Sequence, residues 1–331
     1  MGRMNRFLVA VAIGFFATGP LVTGCTSPEP AAGPSTSTTA PGPSTSPSTS
    51  PSTSHPAGSP EPVPVPKDAL EHVVIIVEEN RSRSTILGSD AAPYINKLAN
   101  ENALATNYRA VTHPSLPNYL AMTSGTTAGI TRTCEPGEGC TARVPNITDA
   151  IEQSGRTWKM YAESMPAPCT AKNSGLYAVR HNPFMYYPGV TDDKSHCEAH
   201  VVPLTQLGKD LESAAGLPDY VFISPNVCND MHDCPVKTGD EWLSHQVPKI
   251  LASPAFTTRN SLLVITWDED EDEGGNNSVP TIFAGPAARL AFKSHRKYDH
   301  YSLLRTIESR WGLAPMTEND RNAPVMSDML K

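Results

Sequence analysis

The chain has 331 residues and carries 34 Asp and Glu side chains against 26 Lys and Arg, a formal charge of -8. It lacks the basic excess with which proteins grip a phosphate backbone, so nucleic acid is excluded as a partner. The stretch 68–331 is long enough for one domain around a single large core, and no internal repeat or second linker divides it.

In chain order, the first element is an export signal. Arg3 and Arg6 precede an apolar run from Phe7 to Phe16, too short to span a bilayer, and Val22, Thr23, Gly24 and Cys25 follow. That ending resembles the lipobox of bacterial lipoproteins. The resemblance implies a signal peptide over 1–25, lipidation of Cys25, and an extracytoplasmic protein anchored to the cell membrane, with ordinary secretion as the alternative. Residues 26–67 are almost entirely Pro, Ser, Thr, Ala and Gly and can form no core, so they read as a disordered tether. At about 3 Å per residue, such an extended Pro-rich chain reaches on the order of 100 Å.

Val73 to Val77 is the first continuous apolar run and reads as a strand buried on both faces. Glu78, Glu79 and Asn80 follow it. A helical pattern covers Tyr94 to Asn102. Thr112 to Tyr119 then reads as a turn feeding a helix that continues to Gly125, with Ser115 at the helix start. A serine there meets unpaired backbone N–H groups and the positive end of the helix dipole, which suits a phosphate, although plain helix capping is the alternative role. Helical patterns recur at Asn146 to Ser154 and Pro203 to Ala214. Tyr220 to Ile223 reads as a second buried strand, followed closely by Asn229, Asp230, His232 and Asp233. After a helix over Asp240 to Ala252, Leu262 to Trp267 reads as a third, followed by Asp268, Glu269 and Asp270, and a helix over Tyr301 to Trp311 closes the domain.

Strands alternating with helices predict an α/β fold with a mostly parallel central sheet flanked by helices. Ligands of open α/β sheets bind outside the carboxyl ends of the strands. Three groups of metal-type ligands behind three buried strands therefore predict one shared site, whereas the acidic run from Asp270 to Glu273 by itself reads as a solvated loop.

With Cys25 set aside, six cysteines remain: Cys134, Cys140, Cys169, Cys197, Cys228 and Cys234. An even set in an exported chain predicts three disulfides. Cys134 with Cys140 and Cys228 with Cys234 are near enough in sequence to close small loops. A structural zinc site is the weaker alternative, since no spacing is Cys-x-x-Cys.

These segments together resemble the phosphoesterase family of bacterial acid phosphatases and phospholipases C, related to the alkaline phosphatase superfamily. His72 to Ser82 is similar to its opening strand and Glu-Asn-Arg-Ser signature, which implies that Glu79 and Asn80 bind a metal. Ser115, Leu116, Pro117 and Asn118 are similar to a Thr-Phe-Pro-Asn string, which implies that Ser115 attacks phosphorus and Asn118 steadies a phosphate oxygen. Thr266 to Glu269 resembles a second metal-binding segment and adds Asp268 and Glu269 to the metal shell. The loop Ser224 to Asp233 and the string Arg180 to Pro183 resemble histidine-bearing loops, so His232 and His181 are candidates for phosphate binding or proton donation. Tyr298 to Ser302 is similar to a Phe-Asp-His-Thr-Ser box, which places His300 facing the site. His113, two residues before Ser115, is a candidate substrate contact, with a turn hydrogen bond as its other reading. His-Pro-Ser, Pro-Asn-Tyr-Leu-Ala, Asn-Asp-Met-His-Asp and Thr-Trp-Asp-Glu-Asp resemble the mycobacterial secreted acid-phosphatase branch. The resemblance implies an alkaline phosphatase-like core and a divalent-metal-dependent enzyme. It implies hydrolysis of phosphate monoesters, on a small molecule or a phosphoinositide-type lipid head group, through a phosphoserine. Two alternatives stand beside it: a phosphodiesterase or phospholipase C on the same fold, and a non-catalytic lipoprotein that binds envelope polymers.

Overall fold

The computed structural model describes residues 69–272 and 274–331. The expected signal peptide, the Cys25 anchor and the tether lie outside the described residues. The described strands are β1 (Val73–Glu78), β2 (Ala103–Ala105), β3 (Tyr108–Arg109), β4 (Trp158–Ala162), β5 (Val201–Pro203), β6 (Tyr220–Ser224), β7 (Leu262–Trp267), β8 (Thr281–Ala284), β9 (Phe292–Ser294) and β10 (Tyr298–Asp299). Eight of them form one sheet in the order β5-β4-β6-β1-β7-β8-β2-β9, while β3 and β10 pair separately. The sheet is parallel apart from β8, which runs antiparallel to both β7 and β2.

The three apolar runs are the adjacent central strands β6, β1 and β7. Every residue of each is buried, because helices cover both faces and no polar alternation is needed. Val77 pairs with Thr266 and Glu78 with Trp267, so β1 and β7 end level and their following residues emerge together. Successive strand residues point to opposite faces. Of the consecutive acids Glu78 and Glu79, therefore, only Glu79 enters the cluster beyond the strand ends. Glu78 is buried elsewhere, with neither oxygen hydrogen-bonded. Burial pushes its carboxyl well above the ordinary range, and the nearby Asp230 and Glu163 add to the effect.

The helix Pro93–Glu101 buries Ile95, Leu98 and Ala99, an i, i+3, i+4 stripe, and Asp240 accepts from the N–H groups of Tyr94 and Ile95 at its start. His300–Trp311 opens with a capping box between Asp299 and Ser302. The helix expected over Pro203 to Ala214 is different. Val201–Pro203 is the edge strand β5, Leu204–Gln206 is a 3-10 turn, and only Leu207–Asp210 is α-helical. Asp210 is drawn to the sheet by Lys159 and Tyr161 of β4, at 2.6 Å from the ammonium, and that tertiary pull ends the helix.

Three disulfides join Cys134 to Cys140, Cys169 to Cys197 and Cys228 to Cys234, as an oxidising compartment allows. Among the described residues no helix is long and apolar enough to cross a membrane.

Candidate active site

Backbone hydrogen bonds clasp the three ligand-bearing loops together: Glu79 N–H donates to the Asp230 carbonyl at 2.8 Å, and Asp268 N–H to the Glu78 carbonyl at 3.0 Å. Asn80 turns the chain in the left-handed region at φ 37°, a conformation asparagine tolerates better than most residues. Its N–H then donates to Asp268 Oδ1 at 3.2 Å and its side chain to Glu269 Oε1 at 3.3 Å.

Ser115 is the first residue of the fully buried helix Ser115–Ser124, and the cap position before it is Pro114. The serine is therefore not the capping residue. Its hydroxyl instead lies 3.0 Å from Glu79 Oε2 and 3.3 Å from Glu269 Oε1, at the positive end of a ten-residue helix. The helix ends at Gly125, whose φ of 70° and position against Asp320 leave no room for a Cβ. Tyr119, one turn on from Ser115, donates to Glu79 Oε1.

His181 is stacked on Tyr119 and sits between two carboxylates, with Nε2 3.1 Å from Glu79 Oε1 and Nδ1 3.1 Å from Asp230 Oδ2. Ser224, at the end of β6, fastens the turn by donating to the His181 carbonyl at 2.6 Å. Ligand atoms of Glu79, His181 and Asp230 all lie within 4.8 Å of one another. Burial pushes the Asp230 and Asp268 carboxyls up from 3.8 to about 7, and pushes Glu79 well above its ordinary value with help from the Asp268 and Asp230 charges. It pulls the His181 imidazole well below its ordinary value, and Arg180 and His232 add to that. Asp268 Oδ2 and Asn80 Oδ1 are buried with no hydrogen-bond partner. Buried acids with orphaned oxygens are costly unless a cation meets them. A divalent ion fits this donor set, in which Glu79, Asn80, Asp268 and Glu269 are joined by His181 and Asp230.

The family model of the Phosphoesterase family matches residues 87–314. The chain belongs to the phosphoesterase family. It is 39% identical over 259 residues to phosphatidylinositol-3-phosphatase of Mycobacterium tuberculosis, covering 78% of this chain and 82% of that protein. It is 29% identical over 269 residues to a probable acid phosphatase of Kluyveromyces lactis, covering 78% of this chain and 62% of that one. Among solved structures, a protein of the alkaline phosphatase superfamily from Vibrio parahaemolyticus matches with a TM-score of 0.56 at 14% identity, covering 78% of this chain and 71% of that chain. That likeness is one of fold, and the expected α/β core of alkaline phosphatase type is the fold of this phosphoesterase domain. The expectation of a phosphoric monoester hydrolase agrees with the names these relatives carry.

The other expected site residues of this phosphoesterase have the following partners. His300, expected to face substrate, is completely buried: Nε2 donates to the Asp268 carbonyl at 2.7 Å and Nδ1 meets the Tyr108 hydroxyl at 3.1 Å. It supports the Asp268 turn. Asn118, expected on a phosphate oxygen, holds the preceding turn. Its Oδ1 accepts from the N–H groups of Val111 and Thr112, while its amide donates to the Thr112 carbonyl at 2.8 Å and Glu269 Oε2 at 3.2 Å. His113 lies 3.0 Å from Glu269 Oε2 and 3.5 Å from Asp270 Oδ1. Asp270 is no solvated loop residue; it is buried and accepts from Asp272 and Ser278 N–H. His232 is partly exposed, with Nδ1 2.6 Å from Asp233 and Nε2 3.3 Å from the Arg180 guanidinium. The structure adds Tyr119 and Arg180 to the site, and of the metal-type ligands that follow β6 it brings Asp230 against Glu79 and His181. Asp230 carried a signal in its place behind the second strand, and Arg180 in its place beside His181.

Proposed function

We propose that this phosphoesterase is a divalent-metal-dependent acid phosphatase that cleaves phosphate monoesters through a phosphoserine on Ser115. The reading is carried by one observation, the Ser115 hydroxyl held between Glu79 and Glu269 where β1 and β7 end.

In the proposed cycle, the Ser115 proton has a ready acceptor in either carboxylate, so Oγ can attack phosphorus in line with the departing alcohol. The Oγ–P bond forms as the bond to the alcohol oxygen breaks. His232, the more accessible imidazole, gives that oxygen its proton, while Arg180 beside it binds negative charge on the phosphoryl oxygens. His181, boxed between Glu79 and Asp230, acts with the acid cluster and not as proton donor. Water then attacks the phosphoserine and gives its proton to His232, phosphate leaves, and Ser115 recovers its proton from the carboxylate. Glu79, Asn80, Asp268, Glu269, Asp230 and His181 would hold the cation, which when bound supplies a lowered serine pKa and charge neutralisation.

The substrate class we infer is a phosphorylated small molecule or a phosphoinositide head group, in keeping with the name of the mycobacterial relative. We further propose that the protein is exported and anchored through Cys25, with 26–67 as its tether. The test is turnover of p-nitrophenyl phosphate, bis(p-nitrophenyl) phosphate and phosphatidylinositol 3-phosphate vesicles, each with and without chelator. Monoester turnover abolished by chelator supports the reading. Preference for the bis ester points to a diesterase, and no turnover with retained phosphate binding to a non-catalytic lipoprotein. Cys25→Ser should move the protein from the membrane to the soluble fraction.

A further inference from the structure

A second group of metal-type side chains lies at the other end of the sheet. His196 and His200 are four residues apart on the helix Lys194–His200, so both imidazoles leave the same helical face, and their ring centroids are 4.3 Å apart. Glu152, on the helix Ile147–Gln153, faces them. Ligand atoms of all three residues lie within 4.8 Å of one another. Trp158, the first residue of β4, braces the group: its indole N–H donates to Glu152 Oε1 at 2.7 Å, and its ring stacks on His200 with centroids 4.7 Å apart. The carboxyl ends of β1, β6 and β7, where Ser115 lies, are on the opposite edge.

We propose that Glu152, His196 and His200 form a second metal site that takes zinc or a similar divalent transition ion. The tautomer of His200 is set for it. Nδ1 lies 2.8 Å from the His196 carbonyl, which can only accept, so Nδ1 carries the proton and Nε2 presents a bare lone pair. Two imidazoles and a carboxylate suit zinc, with a fourth place for water. Nε2 of His196 donates to Glu152 Oε1 at 2.7 Å, so the ion would displace that proton to solvent and part the two atoms, since two ligands of a tetrahedral zinc stand about 3.3 Å apart. The Glu152 side chain, 42% exposed, has room to open by that difference. The helix carrying both histidines is fixed by the Cys169–Cys197 disulfide and by Asp193 at its cap, so the ligands are held before the ion arrives. The ion would staple two helices against the start of β4 and would leave the phosphatase chemistry alone.

The test is zinc stoichiometry after chelation, Zn2+ loading and dialysis, with thermal unfolding as a second readout. The chain from residue 26 onward and its His200→Phe, Glu152→Gln and Glu79→Gln variants would be compared. His200→Phe keeps the stack on Trp158 and removes the lone pair; Glu152→Gln covers the case in which that variant does not fold. The wild type should bind one equivalent more than either variant, and Zn2+ should raise its Tm by about 5 °C at a hundredfold excess over Kd. His200→Phe and Glu152→Gln should lose the share of that rise that belongs to the second site, and Glu79→Gln should keep that share while losing the share of the active-site cluster. Equal stoichiometry and equal Tm shifts in the wild type and a folded His200→Phe or Glu152→Gln would overturn the site.

Discussion

Ser115 Oγ reaches Glu79 Oε2 across 3.0 Å although the two residues lie 36 positions apart in the chain. The helix dipole, the carboxylates and the hydroxyl meet at that contact. Ser115→Ala removes the attacking atom and little packing. We expect kcat/KM on p-nitrophenyl phosphate to fall about 1,000-fold or more, with the Tm nearly unchanged. Steady-state kinetics on the folded variant checks this, and full activity would end the nucleophile assignment.

The metal-free protein should lose stability as pH rises. Asp230 and Asp268 titrate near 7 in the fold against 3.8 ordinarily, and Glu79 is also raised. The folded state thus binds more protons than the unfolded chain between about pH 4 and pH 7, and the stabilisation is lost as pH climbs through that window. A divalent ion reverses the sign, because protons compete with it for the same oxygens. Burial pulls the His181, His200 and His300 imidazoles below their ordinary values, which acts against the acids below about pH 6.5. Thermal melts from about pH 6.5 to pH 8 in chelator should therefore fall, and melts with metal should not; a chelated protein that gains stability across that window contradicts the clustering of these acids.

The proton donor can be separated from the rest by leaving group. His232→Asn should cost about 100-fold or more on an alkyl phosphate, whose alkoxide needs a proton, and roughly tenfold or less on p-nitrophenyl phosphate. Equal losses on both substrates would move His232 from proton transfer to phosphate binding.

The Cys228–Cys234 ring encloses Asp230 and His232. Asp230 Oδ1 also accepts from His232 N–H at 2.8 Å, so the loop is fixed both covalently and from within. Replacing both cysteines by serine should reduce activity proportionately more than Tm. Full activity in a folded double variant would refute a positioning role for the disulfide.

Gly125→Ala tests the other end of the nucleophile helix. The φ of 70° disfavours any side chain, and an added Cβ would stand 2.5 Å from Asp320 Oδ1. A loss of about 2 kcal/mol is expected, read as a lower denaturant midpoint at unchanged m.

The sequence makes the central strands legible because strands buried on both faces admit only apolar residues, as in Val73 to Val77. The acids that follow them stand out for the same reason. What it leaves obscure depends on distant partners. The string Arg180 to Pro183 marks His181 as a site candidate but not as the neighbour of Glu79 and Asp230, and nothing near His300 reveals that both its nitrogens are taken. The segment from Pro203 to Ala214 has helical spacing, but β4 claims Val201–Pro203 as an edge strand and Asp210 as an ion-pair partner.

The pairing of β1 with β7 joins Val73 to Leu262 and Ile76 to Ile265 in one parallel ladder. A nascent chain leaving the ribosome therefore carries Ser115, the proposed nucleophile, long before it carries the acids at 268 and 269. Until β7 has been made and has docked beside β1, Ser115 lacks Glu269, so by the mechanism proposed above the chain stays inactive up to that point. Contacts of such long range also make folding slow, because the loop must close before the ladder can reward it.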